Sequence, residues 1–169
     1  MRPFALALTL ISTLLVTPVV AQSRPTSPRE LTVALASQAA QEALATCERS
    51  GFHVSVTVLD RSGSARAFLR GDGSTPHTPD SARGKAYTAL TLGPIFNKNA
   101  SSELTQLIAA NPAAAAIANV PGVLLLAGAV TIKSGDDVVG SIGVGGAPGG
   151  DKDEACARAG SEKIAAALR

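Results

Sequence analysis

A guanidinium, a carboxylate and an imidazole fall close together near the middle of this chain, at Arg70, Asp72 and His77, with the ammonium of Lys85 a little further on. These types suit recognition of a small charged molecule. A guanidinium grips a carboxylate at two points in one plane, which a lysine cannot copy. His77 lies in the segment Gly71–Pro79, between an RGDG signature and a helix start. Loops of that kind carry ligand contacts on rigid scaffolds. Lys85 borders the inward stripe of the next helix, between Ala82 and Ala86. A buried ammonium needs an acidic partner, and Asp60 and Asp72 are the candidates. Lys85 therefore reads either as half of an ion pair tying a hairpin to the helix or as a ligand contact. Paired with Asp60 or Asp72 it could also move protons.

Familiar catalytic patterns are missing: the sequence has no G-x-S-x-G, no H-E-x-x-H and no C-x-x-C. The only histidines are His53 and His77, and the two cysteines lie far apart, so no zinc site of ordinary spacing is written here. Gly140 and Gly143 fall inside a strand pattern, not between strand and helix. They read as sites of close backbone approach or of a bulge, not as a dinucleotide fingerprint.

The elements that must position these residues can be read from the hydrophobic pattern. Ser27-Pro28-Arg29-Glu30 has the form of a capping box and opens a helix that Gly51 ends. Val54, Val56 and Val58 alternate with His53, Ser55 and Thr57, giving a strand over 53–59. Asp60–Gly63 turns it into a second strand over 64–70. Thr78 caps a second helix that carries Ala82, Ala86, Ala89 and Leu90 inward and fades around Gly93-Pro94. A short helix follows over 103–110 behind a serine cap, then an alanine-rich turn after Asn111-Pro112. The apolar run Val123–Leu126 reads as a buried strand, and 130–133 with 138–144 as a hairpin about Ser134–Asp136. A last helix, capped by Asp151, runs to Leu168. This order gives an α/β (α+β) domain with a mainly antiparallel sheet covered by helices.

Residues 1–21 have the form of a cleaved signal peptide: Arg2, an uncharged apolar stretch over Leu6–Val16, then Val19-Val20-Ala21 with small residues at the cleavage site. Residues 22–169 are then one exported domain, periplasmic or secreted, with no membrane span in the mature chain. A formal charge of +2 spread without a basic patch, and the absence of tryptophan, argue against a nucleic-acid partner. Cys47 and Cys156 are the only cysteines. An even count in an exported chain points to a disulfide, against the alternative of two small buried hydrophobes.

Five signatures occur in series: VLDRSG at Val58–Gly63, RGDG at Arg70–Gly73, ARGKAYTA at Ala82–Ala89, GSIGVGGA at Gly140–Ala147 and DEACARAG at Asp153–Gly160. Together they resemble the GlcG/HbpS-like family. The resemblance implies a profilin-like three-layer domain with a five-stranded sheet, a tendency to homo-oligomers, and haem or a related tetrapyrrole as the small-molecule ligand. It makes Arg70, Asp72 and Lys85 ligand contacts at matching positions. Haem iron takes an axial donor such as histidine or tyrosine. Leu31–Ser50 contains no His, Tyr or Met. His77 is then the leading candidate for the iron ligand, with His53 and Tyr87 behind it. Two other readings stand beside this one. One is an enzyme acting on a hydroxy or keto acid, with Arg70 as anchor and Lys85 or Asp72 in acid–base work. The other is an accessory domain without a ligand.

Overall fold

A computed structural model describes residues 30–169. The expected signal peptide over 1–21 and Ser27–Arg29 of the expected capping box lie outside the described residues. Within them, α1 is Val33–Arg49, β1 Ser55–Asp60, β2 Ala65–Arg70, α2 Thr78–Phe96, α3 Ser101–Ala109, β3 Ala129–Ser134, β4 Asp137–Gly145 and α4 Gly150–Ile164. Short 3-10 segments cover Pro112–Asn119 and Ala165–Leu168. The sheet runs β2-β1-β4-β3 with every neighbouring pair antiparallel.

Three layers follow from the alternation along the strands. Val54, Val56 and Val58 turn one way, into a core with Ala36, Ala39, Ala43, Ile142, Val144 and Ile164, so α1 and α4 cover this face. Ser55, Thr57 and Leu59 turn the other way, towards α2, which crosses β1, β4 and β3. Small residues make that second contact close. A Cβ at Gly143 would run into the Ala82 carbonyl and the Ala86 backbone. Ser141 adds a hydrogen bond from its hydroxyl to the Ala86 carbonyl at 2.8 Å. Glycine in β4 is therefore what lets the helix lie on the strand.

The sheet has four strands where five are expected. Val123–Leu126 forms no strand: the Val123 and Leu126 N–H groups bond locally, to the Val120 and Leu124 carbonyls, and Leu124 bonds to a helix side chain. The Leu124 N–H donates to the Thr88 hydroxyl oxygen at 2.8 Å, and that hydroxyl shares its one proton between the Gly84 carbonyl at 2.9 Å and the Leu124 carbonyl at 3.1 Å. The outer side of β3 is in turn partly occupied by Asn99 and Ala100, through the Thr131 N–H to the Asn99 carbonyl and a bridge from Ala100 to Val130.

Four helix starts differ from expectation, each for a local reason. Glu30 precedes α1, which begins at Val33 because the Thr32 hydroxyl accepts from the Leu35 N–H. Thr78 is already helical. Its hydroxyl donates to the Thr75 carbonyl and meets the Ser55 hydroxyl, which leaves His77 in the capping position. Ser101 does not cap α3; its buried oxygen accepts from the Ala129 N–H, and Glu103 instead accepts from the N–H groups of Asn99 and Ala100. Asp151 sits inside α4, where its charge still suits the N-terminal end of the helix dipole. At the other end of α2 the helix runs past Pro94 to Phe96, and the N–H groups of Asn97 and Lys98 close it on the Gly93 carbonyl.

Cys47 of α1 and Cys156 of α4 form a disulfide with their Cα atoms 5.6 Å apart. It joins the two helices that share the valine face of the sheet.

Candidate functional site

The loop from Gly71 to His77 hangs between the end of β2 and the start of α2. The Gly71 N–H donates to the Val54 carbonyl, and the Ser74 N–H closes a turn on the Gly71 carbonyl. Arg70 holds the loop from outside: its Nε donates to the Ser74 hydroxyl at 3.2 Å and one Nη to the Ser74 carbonyl at 2.9 Å. Two of five guanidinium N–H groups are used, so the remaining fork still faces water on an exposed side chain. Asp72 is exposed and lends its backbone, not its carboxylate: its carbonyl accepts from His53 Nδ1 at 2.8 Å. His77 is exposed, with Nδ1 3.3 Å from the Thr75 hydroxyl.

Both histidines therefore meet at this loop, His77 at its end and His53 against it from just before β1, although 24 positions separate them in the sequence. Register adds two further groups to the same sheet face. Ser55 pairs with Arg70 and Thr57 with Phe68, and Ser55 contacts α2. Arg70 and Phe68 thus share the α2-side face of the outer strand, where Phe68 is 49% exposed.

Lys85 does not join them. It lies two helical turns further along α2, buried, with Nζ 2.6 Å from the Asp153 carboxylate. Neither expected partner reaches it: Asp72 stands exposed on the 71–77 loop, and Asp60 is engaged elsewhere. Asp60 folds back on its own turn, accepting from the Ser62 and Ser64 N–H groups and from the Ser62 hydroxyl, with Arg66 3.9 Å away. Burial pushes the Asp60 carboxyl up, but the Ser62 hydroxyl and the two amides together hold it below its ordinary value. At Asp153 the balance is reversed. Burial raises the carboxyl above its ordinary value, although Lys85 and the Ala147 and Gly146 amides oppose that. The pair pins α2, the turn after β4 and α4 together, and a Cβ at Gly128 would strike both side chains.

Asp153 was legible only as part of a helix start. A second signal was available: it falls in step with Cys156, Ala157, Gly160 and Ile164, the buried stripe of α4. An acid on such a stripe announces a buried partner.

Tyr87 is half-buried and packs between two glycines, Gly63 of the β1–β2 turn and Gly122 after the 3-10 segment. At the opposite end of the sheet an open cleft of about 380 Å³ is lined by Arg61, Asn97, Lys98, Lys133, Asp136 and Asp137 among others. Its charges are of both signs, and none of the expected site residues lines it. Among the described residues no three His, Cys, Asp or Glu side chains gather to hold a bare metal ion, and no helix is long and apolar enough to cross a membrane.

Comparison with known proteins gives one family model and a set of solved structures of the same fold. Residues 31–162 match the family model described as haem degrading protein HbpS-like. A double mutant of HbpS from Streptomyces reticuli is 41% identical, with 91% of this chain and 98% of that chain covered and a TM-score of 0.72. The Klebsiella pneumoniae protein ORFY shares the fold at 19% identity, with 86% and 99% covered and a TM-score of 0.73. So does PduOC, solved as a heme complex, at 18% identity, with 80% and 96% covered and a TM-score of 0.71. No curated protein matches. With 132 consecutive positions matched and a relative of such identity along almost its whole length, the chain belongs to the HbpS-like family.

Proposed function

We propose that this chain is an exported protein, periplasmic or secreted, that binds haem or a related tetrapyrrole at the surface formed by β2 and the 71–77 loop. The observation that carries the reading is the juxtaposition of imidazole, guanidinium and exposed aromatic ring on one sheet face and its loop. The chemistry of that set suits the ligand. A bare ion needs several protein ligands, whereas a porphyrin supplies its equatorial nitrogens itself and needs only an axial donor from the protein. Phe68 offers apolar area to the macrocycle. The free fork of Arg70 suits a propionate carboxylate. His77 and His53 supply candidate axial nitrogens. Asp72 shapes the loop through its carbonyl, and Lys85 with Asp153 fixes the frame behind it.

When bound, the iron macrocycle supplies the redox and ligand chemistry; the protein's part is to seat and orient it. The family description and the haem complex of a fold relative support this reading. A homo-oligomer is part of it. The chain carries no charged residue between Leu104 and Ile132, and Leu107, Val120 and Leu126 stand exposed there, an apolar surface suited to a second copy.

Titration of the purified 22–169 chain with haemin tests the proposal. A saturable Soret shift at one site per chain is expected. A featureless, non-saturating response would overturn it.

A further inference from the structure

His53 is the more telling of the two histidines, although the loop position of His77 draws attention first. Its Nδ1 lies 2.8 Å from the Asp72 carbonyl oxygen. A carbonyl can only accept, so Nδ1 must carry the proton, and the neutral ring keeps its lone pair on Nε2. Nothing among the described residues hydrogen-bonds to that Nε2. The ring is also held in place. Gly73 has φ +74°, and a Cβ there would come within 3.3 Å of Nδ1 and 3.5 Å of the neighbouring ring carbon. The imidazole thus lies against bare backbone on one side while its Nδ1–H bond fixes its rotation.

This is the arrangement a metal-ligating histidine requires. Such a residue donates its other ring N–H to a carbonyl or carboxylate, which sets the tautomer and makes the free nitrogen a better donor. His77 lacks it. Its Nδ1 faces a hydroxyl, which can donate or accept, at the longer distance of 3.3 Å, so neither nitrogen is committed. Val54 turns into the core on the α1 side, so an extended chain before β1 carries His53 on the side of Ser55 and Thr57, the strand positions whose register partners are Arg70 and Phe68.

Resting on the tetrapyrrole reading, we infer that His53 Nε2, and not His77, is the axial nitrogen this chain offers to the iron. Asp72 and Gly73 are the positioning residues, acting through their backbone.

Two measurements test this. Long-range proton–nitrogen NMR of the ligand-free protein reports the tautomer directly. A protonated Nδ1 and bare Nε2 at His53 are expected, and the opposite tautomer would overturn the inference. Haemin titration then compares the wild type with His53→Ala and His77→Ala. His53 is exposed, so its loss leaves the core intact.

His53→Ala should lose the imidazole-ligated Soret band and bind at least about tenfold more weakly, the scale of damage to a metal's ligand shell. Free imidazole should restore the band, which a merely structural loss would not allow. His77→Ala should keep it. An unchanged spectrum in His53→Ala, a loss that imidazole does not restore, or a loss in His77→Ala alone overturns the inference while the binding reading stands. A wild-type chain with no saturable signal removes both.

Discussion

Arg70 has two tasks that a lysine could not share: two of its N–H groups tie the loop to Ser74, and the rest remain free. Arg70→Lys should therefore lower haemin affinity by about tenfold, or ~1.4 kcal/mol, through loss of both the fork and the loop tether. Equal affinity in the two proteins, measured in one titration series, would remove Arg70 from the site. Asp60 belongs to the same scale but to stability. Its carboxyl is held below the ordinary value in the folded chain. The resulting stabilisation is complete above the unfolded value and is lost as pH falls through the lower, folded one. The stability gap between wild type and Asp60→Asn, followed by denaturant unfolding, should hold at about pH 6 and close towards about pH 3. A gap that widened on acidification would contradict the assignment.

Among the elements, α2 is the part on which the others depend. It lies on β4 through glycine, holds the 123–126 passage through Thr88, and is pinned to α4 by Lys85 and Asp153. Removing one member of a buried pair strands the other. Asp153→Ala leaves both the Lys85 ammonium and the Ala147 N–H without their acceptor, and should cost about 3–5 kcal/mol in chemical unfolding. The double change Lys85→Met with Asp153→Leu should recover a large part of that loss, because two apolar groups replace two desolvated charges. If the double variant is as unstable as the sum of the single ones, the two side chains do not act as a pair. The bounds of the elements were readable to within one or two residues where turn residues and an apolar alternation agreed, as in β1, β2 and the β3–β4 hairpin. They slipped where a side chain had a better partner in three dimensions, as Thr78 and Ser101 show.

The disulfide acts on the whole domain, because it links the first and last helices. In the chain-entropy account, releasing a loop whose ends are 109 positions apart costs up to ~4.7 kcal/mol. Cys47→Ser with Cys156→Ser should accordingly lower the denaturant midpoint, and the intact chain should weigh two hydrogens less than its reduced form. Thiol labelling of both cysteines in the unfolded, unreduced protein would contradict the bridge. The uncharged span from Leu104 to Ile132 also belongs to this scale. Light scattering on the wild type should give a multiple of the chain mass, and Leu107→Glu with Leu126→Glu should lower it. A monomeric wild type would refute the assembly.

What the order of residues determined alone was the class of the domain and most of its strands and helices, because periodicity and turn chemistry are local properties that survive without neighbours. The series of glycine-framed signatures carried the family with it. Tertiary structure decided the rest. Which acid meets Lys85, whether Val123–Leu126 finds a strand partner, and which histidine has its tautomer set all depend on residues 19 to 68 positions away. No local pattern reports such distances, since chain folding alone brings those groups within reach of one another.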